Sequence, residues 1–156
     1  MNTNRRTFMK SSAAAGAFGV AVSAGLITPG AVLAAWPKAA FEAKDSNSAI
    51  SSALGSSSTT ESADIALKAP EIAENGAVVP ITVTSKIAGT ESISILIPKN
   101  PTPLTATFKM GEGTQGFVST RVKMSKTSDV LVVVKAGGKL YSTKKEVKVT
   151  IGGCGG

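Results

Sequence analysis

Beyond residue 60 the apolar positions of this chain recur at every second residue, the period of strands with one buried face. Ile65 and Leu67 alternate with polar neighbours. Val79, Ile81 and Val83 alternate with Pro80, Thr82 and Thr84, and Ile93, Ile95 and Ile97 repeat the pattern. Leu104, Ala106 and Phe108 follow, then Phe117-Val118 and Val122 to Met124. Val130 to Val134 is a continuous apolar run, and Leu140-Tyr141 precedes a last alternating set, Val147, Val149 and Ile151. Turn-forming residues separate these runs. Pro70 to Gly76 predicts a turn, Asn100-Pro101-Thr102-Pro103 a break, Gly111-Glu112-Gly113 another turn, and Ala136-Gly137-Gly138-Lys139 a hairpin. Roughly seven or eight short strands at this spacing predict an all-β domain, an immunoglobulin-like antiparallel β-sandwich over residues 61–151. In its last strand Val147, Val149 and Ile151 are expected on the core face, with Lys148 and Thr150 pointing the other way.

The period is different upstream. Trp36 to Gly55 reads as helical or loosely helical, with Phe41, Ile50, Ala53 and Leu54 available to pack. Gly55-Ser56-Ser57-Ser58-Thr59-Thr60 reads as a linker, so residues 35–60 form an N-terminal helical segment. No long internal repeat is visible.

Residues 1–34 are of another kind. Arg5-Arg6-Thr7-Phe8-Met9-Lys10 is a twin-arginine segment, and Ser11 to Ala35 behind it is uncharged and rich in alanine and glycine. Val32-Leu33-Ala34 offers small residues where a signal peptidase cuts, so cleavage is expected after Ala34 or Ala35. At 25 residues the stretch is long enough for a membrane anchor. Its glycines, serines and proline, with alanine filling most of the rest, favour a cleaved signal and no anchor. The expected location is the periplasm, reached folded by the twin-arginine route, which would let a partner without its own signal travel along.

Removing the signal takes Arg5, Arg6 and Lys10 from the 17 basic residues, leaving 14 against 10 acidic, a net charge of +4. Roughly 120 residues remain, enough for one domain with one core. Arg121 is the one arginine left, and the aromatics are Trp36, Phe41, Phe108, Phe117 and Tyr141. No basic run interleaves with them, which argues against nucleic acid. A modest positive field suits small anions and acidic protein surfaces.

The chemistry concentrates at the C-terminus, Ile151-Gly152-Gly153-Cys154-Gly155-Gly156. Cys154 is the only cysteine, framed by two glycines on each side. A structural cysteine is usually buried, and nothing here would bury this one. Glycine leaves the backbone free and adds no bulk around the sulfur, so the expectation is a thiol on a flexible arm, Gly152, Gly153, Gly155 and Gly156. Three residues past Ile151 an extended chain reaches about 10 Å, far enough to enter another protein's cleft. An odd cysteine in an exported protein implies an intermolecular bond or a reactive thiol. Lys144, Lys145 and Lys148 lie just upstream; they are either a solvated strand face or a group that favours the thiolate and attracts an anion.

Histidine is absent, which removes the commonest general base and metal ligand. One cysteine without histidine builds no usual zinc, haem or iron–sulfur site and no Ser/His/Asp or Cys/His pair. The chain is therefore expected to hold no metal and no cofactor and to carry no catalytic residue, leaving the chemistry to partners.

The terminal run Val147-Lys148-Val149-Thr150-Ile151-Gly152-Gly153-Cys154-Gly155-Gly156 resembles the end of the SoxY family, sulfur-carrier subunits of the periplasmic thiosulfate-oxidising system. Lys68-Ala69-Pro70-Glu71-Ile72-Ala73-Glu74-Asn75-Gly76-Ala77-Val78-Val79-Pro80, Asn100-Pro101 and Arg121-Val122-Lys123-Met124 are similar to that family as well. The resemblance runs over nearly all of the chain that follows the signal. It implies an immunoglobulin-like fold, a heterodimer with a SoxZ subunit, and Cys154 as the covalent attachment site for thiosulfate-derived sulfur. It further implies a c-type haem enzyme that couples thiosulfate to the thiol, a sulfate-releasing hydrolase that leaves a persulfide, and a sulfane dehydrogenase that oxidises it. Two other classes share single features. Gly155-Gly156 resembles the end of carriers that bear sulfur as a terminal thiocarboxylate, though those are cytoplasmic β-grasp proteins. A periplasmic thiol peroxidase would use one cysteine, but one buried beside polarising groups.

Overall fold

The computed structural model describes residues 37–151. The signal segment read at 1–34, Ala35 and Trp36 precede these residues, and the glycine arm 152–156 with Cys154 follows them, so all of these lie outside the described residues.

Among the described residues two short helices come first, α1 (Lys38–Glu42) and α2 (Ser46–Leu54). Asp45 caps α2 by accepting a 2.9 Å hydrogen bond from the Ser48 amide, which satisfies one of the donors that the first turn leaves open. Gly55 ends the helix at φ +87°, a left-handed conformation that glycine adopts without a Cβ penalty, and its amide reaches the Ser51 carbonyl.

Nine strands follow among the described residues: β1 (Thr60–Glu61), β2 (Ile65–Lys68), β3 (Ile72–Asn75), β4 (Val79–Ser85), β5 (Thr90–Leu96), β6 (Leu104–Lys109), β7 (Gly116–Val122), β8 (Ser128–Ala136) and β9 (Lys139–Ile151). The larger sheet has the order β1-β9-β8-β5-β6, with β3 also on β9, and the smaller is β2-β4-β7. Gly137 and Gly138, both at positive φ, close the β8–β9 hairpin with the backbone hand that matches the strand twist. The two sheets make an immunoglobulin-like sandwich.

The main core lies between the sheets. Val79, Ile81 and Val83 of β4, Ile93 and Ile95 of β5, Val130, Val132 and Val134 of β8, and Val147 of β9 are all fully buried there. A second core lies on the other face of the larger sheet, where Ala40, Ala49 and Ile50 of the helices cover Leu96, Leu104, Val133 and Leu140. Covering both faces explains why Val130 to Val134 reads as an unbroken apolar run. No buried side-chain polar atom among the described residues lacks a partner; Ser94, for one, meets the Thr107 hydroxyl at 3.0 Å.

Several local expectations change. The segment Pro70 to Gly76 is no mere turn: Ile72–Asn75 is a strand, because its backbone completes the end of β9. Two pairings are parallel, β1 with β9 and β3 with β9, in an otherwise antiparallel sandwich. Leu140-Tyr141 and Val147 to Ile151 belong to one 13-residue strand. Ile151 is not in the core; it is 69% exposed, at the end of β9 past the last β8 pairing, Ser128 opposite Val147. Leu104 joins the helix-side core while Phe108 joins the inter-sheet core, since a register shift between Ile95 and Leu96 changes the face presented.

Two outcomes test these assignments. Ile95→Ala should cost about 2–5 kcal/mol of stability, whereas Val78→Ala at an exposed site should change it by about 0.5 kcal/mol or less. Equal urea midpoints for the two variants would contradict the core assignment. The Ser48 amide bond holds the Asp45 carboxyl below its ordinary value. A lowered native pKa means the cap stabilises above the unfolded value and is lost as pH falls through the native one. Asp45→Ala should therefore lower the melting temperature at pH 7, with the difference vanishing at pH below the carboxylate range.

Candidate functional site

A strand that outruns its neighbour leaves amides and carbonyls without ladder partners. The antiparallel β8–β9 ladder extends from Ala136 opposite Lys139 to Ser128 opposite Val147. Lys148, Val149, Thr150 and Ile151 lie past its end. On one flank β3 takes over, running parallel with Ile72 opposite Lys148, Ala73 opposite Val149 and Asn75 opposite Ile151. The Lys148 amide donates to the Glu71 carbonyl at 2.9 Å, and the Thr150 hydroxyl donates to the Glu74 carbonyl at 3.0 Å.

On the other flank a side chain replaces the missing strand. The Thr127 hydroxyl oxygen accepts from the Val149 amide at 2.9 Å and stands 3.5 Å from the Val149 carbonyl, in position to donate to it. Gly76 then closes the end. Its amide donates to the Ile151 carbonyl at 2.8 Å, and its own carbonyl accepts from the Met124 amide at 2.7 Å. The strand is therefore hydrogen-bonded through Ile151, the residue immediately before the glycine arm.

The three lysines do not form one group. Strand alternation puts Lys144 and Lys148 on the outer face and Lys145 on the inner one. The Lys145 ammonium donates to the Ala69 carbonyl at 2.8 Å, tying β9 to the chain entering β3. Lys144 lies 3.8 Å from the Asp129 carboxylate, an exposed ion pair of small energetic weight. Its effect is local: Asp129 stands opposite Glu146 in the ladder, and a cation beside Asp129 offsets the repulsion of that pair. Lys148 is exposed.

Cys154 and its glycines Gly152, Gly153, Gly155 and Gly156 lie outside the described residues. Among the described residues no three His, Cys, Asp or Glu side chains gather to hold a metal ion. Thr127, Gly76 and the Ala69 carbonyl are parts of the anchor that periodicity does not mark. The one signal is that Ile72-Ala73 sits between Pro70 and Gly76, as a very short strand would.

These features define a class, a small immunoglobulin-like sandwich with one cysteine on the segment after its final strand. The model of the family described as sulfur oxidation protein SoxY matches residues 50–154, and the chain belongs to that family. A solved structure of the sulfur carrier protein SoxY from Chlorobium limicola f thiosulfatophilum is similar at 50% sequence identity and a TM-score of 0.61, covering 66% of this chain and 94% of that one. None of the curated proteins matches.

Thr127→Val keeps the shape and removes the hydroxyl that serves Val149. The loss should cost about 1–2 kcal/mol and speed hydrogen exchange at the Val149 amide far more than at Val132 in the central strand. Unchanged exchange at Val149 would show that Thr127 does not anchor the strand.

Proposed function

We propose that this chain carries sulfur covalently on Cys154 during thiosulfate oxidation and presents it to partner enzymes. Membership of the SoxY family is the observation that carries this reading, supported by the 50% identical relative described as a sulfur carrier. The hydrogen-bonded end of β9 supports it further, because a thiol three residues past a fixed point has a defined origin and a limited reach.

In the proposed cycle a c-type haem enzyme joins the Cys154 sulfur to the outer sulfur of thiosulfate. A sulfur–sulfur bond forms, the thiol proton leaves, and two electrons pass to the haem enzyme. Water, directed by a hydrolase, then cleaves the bond to the sulfonate group, releasing sulfate and leaving a persulfide on Cys154. A sulfane dehydrogenase oxidises that sulfur further. This chain supplies the handle in each step. The reading places it in the periplasm, exported by the twin-arginine route as a heterodimer with a SoxZ subunit.

Cys154→Ser should abolish thiosulfate-dependent sulfate production while leaving the melting temperature unchanged, because the substitution lies beyond β9. Intact mass after incubation with thiosulfate and the haem enzyme should show the adduct on Cys154 of the unmodified protein. Normal sulfate production by the variant, or an adduct on Gly156 in its place, would overturn the carrier reading.

A further inference from the structure

Two loops meet beside the end of β9, and hydrogen bonds centred on Asn100 bind them together. Asn100 donates from its amide nitrogen to the Lys123 carbonyl at 2.7 Å and accepts from the Ser125 amide at 2.9 Å. The Lys99 amide adds a 3.3 Å bond to the Ser128 hydroxyl. Residues 97–103 and 122–128 are thus joined, and the second loop carries Thr127, which holds Val149. Met124 completes the connection through Gly76 to Ile151.

Three exposed lysines ride on this assembly, Lys99, Lys123 and Lys126. Neither loop contains an acidic residue. Among the described residues the three ammonium groups have no ion-pair partner, whereas Lys38, Lys135 and Lys144 each have one. Of the acidic residues near this end, Glu71 and Glu74 lie on the other flank of β9, at and along β3, while Asp129, which follows the second loop opposite Glu146, is paired with Lys144. The rim around the base of the arm is therefore cationic on one side, and its backbone is held in place before any partner arrives.

Distance decides what such a rim acts on. An extended arm places the Cys154 sulfur about 10 Å beyond Ile151, and salt screens exposed charges over about 8–10 Å. Charges at the base are poorly placed to act on an anion at the tip. They face whatever surrounds the mouth of the cleft that the arm enters.

We propose that Lys99, Lys123 and Lys126 form a docking rim that recognises an acidic protein surface bordering the cleft of the enzymes that act on Cys154. This rests on the carrier reading above. Rim charges of this kind set encounter rate and salt dependence more than the chemical step.

The test compares three proteins: wild type, the triple variant Lys99→Gln, Lys123→Gln, Lys126→Gln, and a charge-matched control, Lys86→Gln, Lys109→Gln, Lys139→Gln, at the opposite end of the sandwich. With the purified thiosulfate-coupling haem enzyme, the second-order loading rate of the rim variant should fall about three- to tenfold at low ionic strength. It should converge on wild type in high salt, and the control should stay near wild type. The reaction of Cys154 with a dianionic aromatic disulfide, relative to a neutral one, should be the same in all three. Equal loading for rim variant and control would overturn the proposal, as would a parallel loss of reactivity toward the dianionic reagent, which would put the lysines to work on small anions. Wild type alkylated at Cys154 gives the separate check. If it is still loaded, the carrier reading itself fails, whatever the lysines do.

Discussion

Backbone groups at the end of a long strand have to be satisfied by something, and here that requirement organises one whole pole of the molecule. Past Val147 the antiparallel partner is gone, yet Val149 and Ile151 keep their hydrogen bonds through Thr127, β3 and Gly76. Each substitute comes from a different part of the chain, separated by 22 residues for Thr127 and 76 for the Glu74–Thr150 bond. The end of β9 is thus where the connection into β3, the entry to β8 and the C-terminal segment are joined. A defect in any of them would shorten the fixed part of the strand.

The other organising constraint is the two-sided larger sheet. A strand such as β8, buried on both faces, cannot be left with one face open, so α1 and α2 complete it. Leu96, Val133 and Leu140 would otherwise present an apolar surface to solvent. The helices belong energetically to the sandwich even though the Gly55 to Thr60 stretch separates them from it in sequence.

Much of this was legible from the residues. Strict alternation marked β2, β4 and β5, the glycine pair marked the β8–β9 hairpin, and the composition of 36–55 marked the helices. The errors share a cause: periodicity reports which face of a strand is apolar, not where the strand lies in the sheet. Ile151 has the right parity for the core but sits beyond its boundary. Ile72–Asn75 is too short to show a period and lies between residues typical of turns. For Lys144, Lys145 and Lys148, where the sequence leaves a solvated face and anion attraction both open, the pleat puts Lys145 on the face opposite the other two, and Lys144 and Lys145 have local partners. Lys99 is far in sequence from Lys123 and Lys126, and its loop is joined to theirs through Asn100 and the Lys99–Ser128 bond, which no pattern of hydrophobicity signals. The resemblance of the terminal residues to the SoxY family was visible from the start because it rests on identity at fixed positions and not on folding.

Where the ladder ends also sets the length of the arm. On the carrier reading, three residues separate Ile151, the last described position, from Cys154, and an extended chain of that length spans about 10 Å. Were the strand to fray back to Val147, seven residues would be free and the reach would grow to about 23–25 Å. A longer tether explores a larger volume, so the concentration of the thiol at any one cleft falls steeply, and ordering more residues on entry costs more entropy. If the proposed rim docks a partner, it would gain nothing from such fraying, because docking at the base would no longer set how far the thiol enters the cleft. On the proposed reading, anchor, arm and rim act as one device: hydrogen bonds fix the origin, residue count fixes the depth, and charge at the base orients the approach.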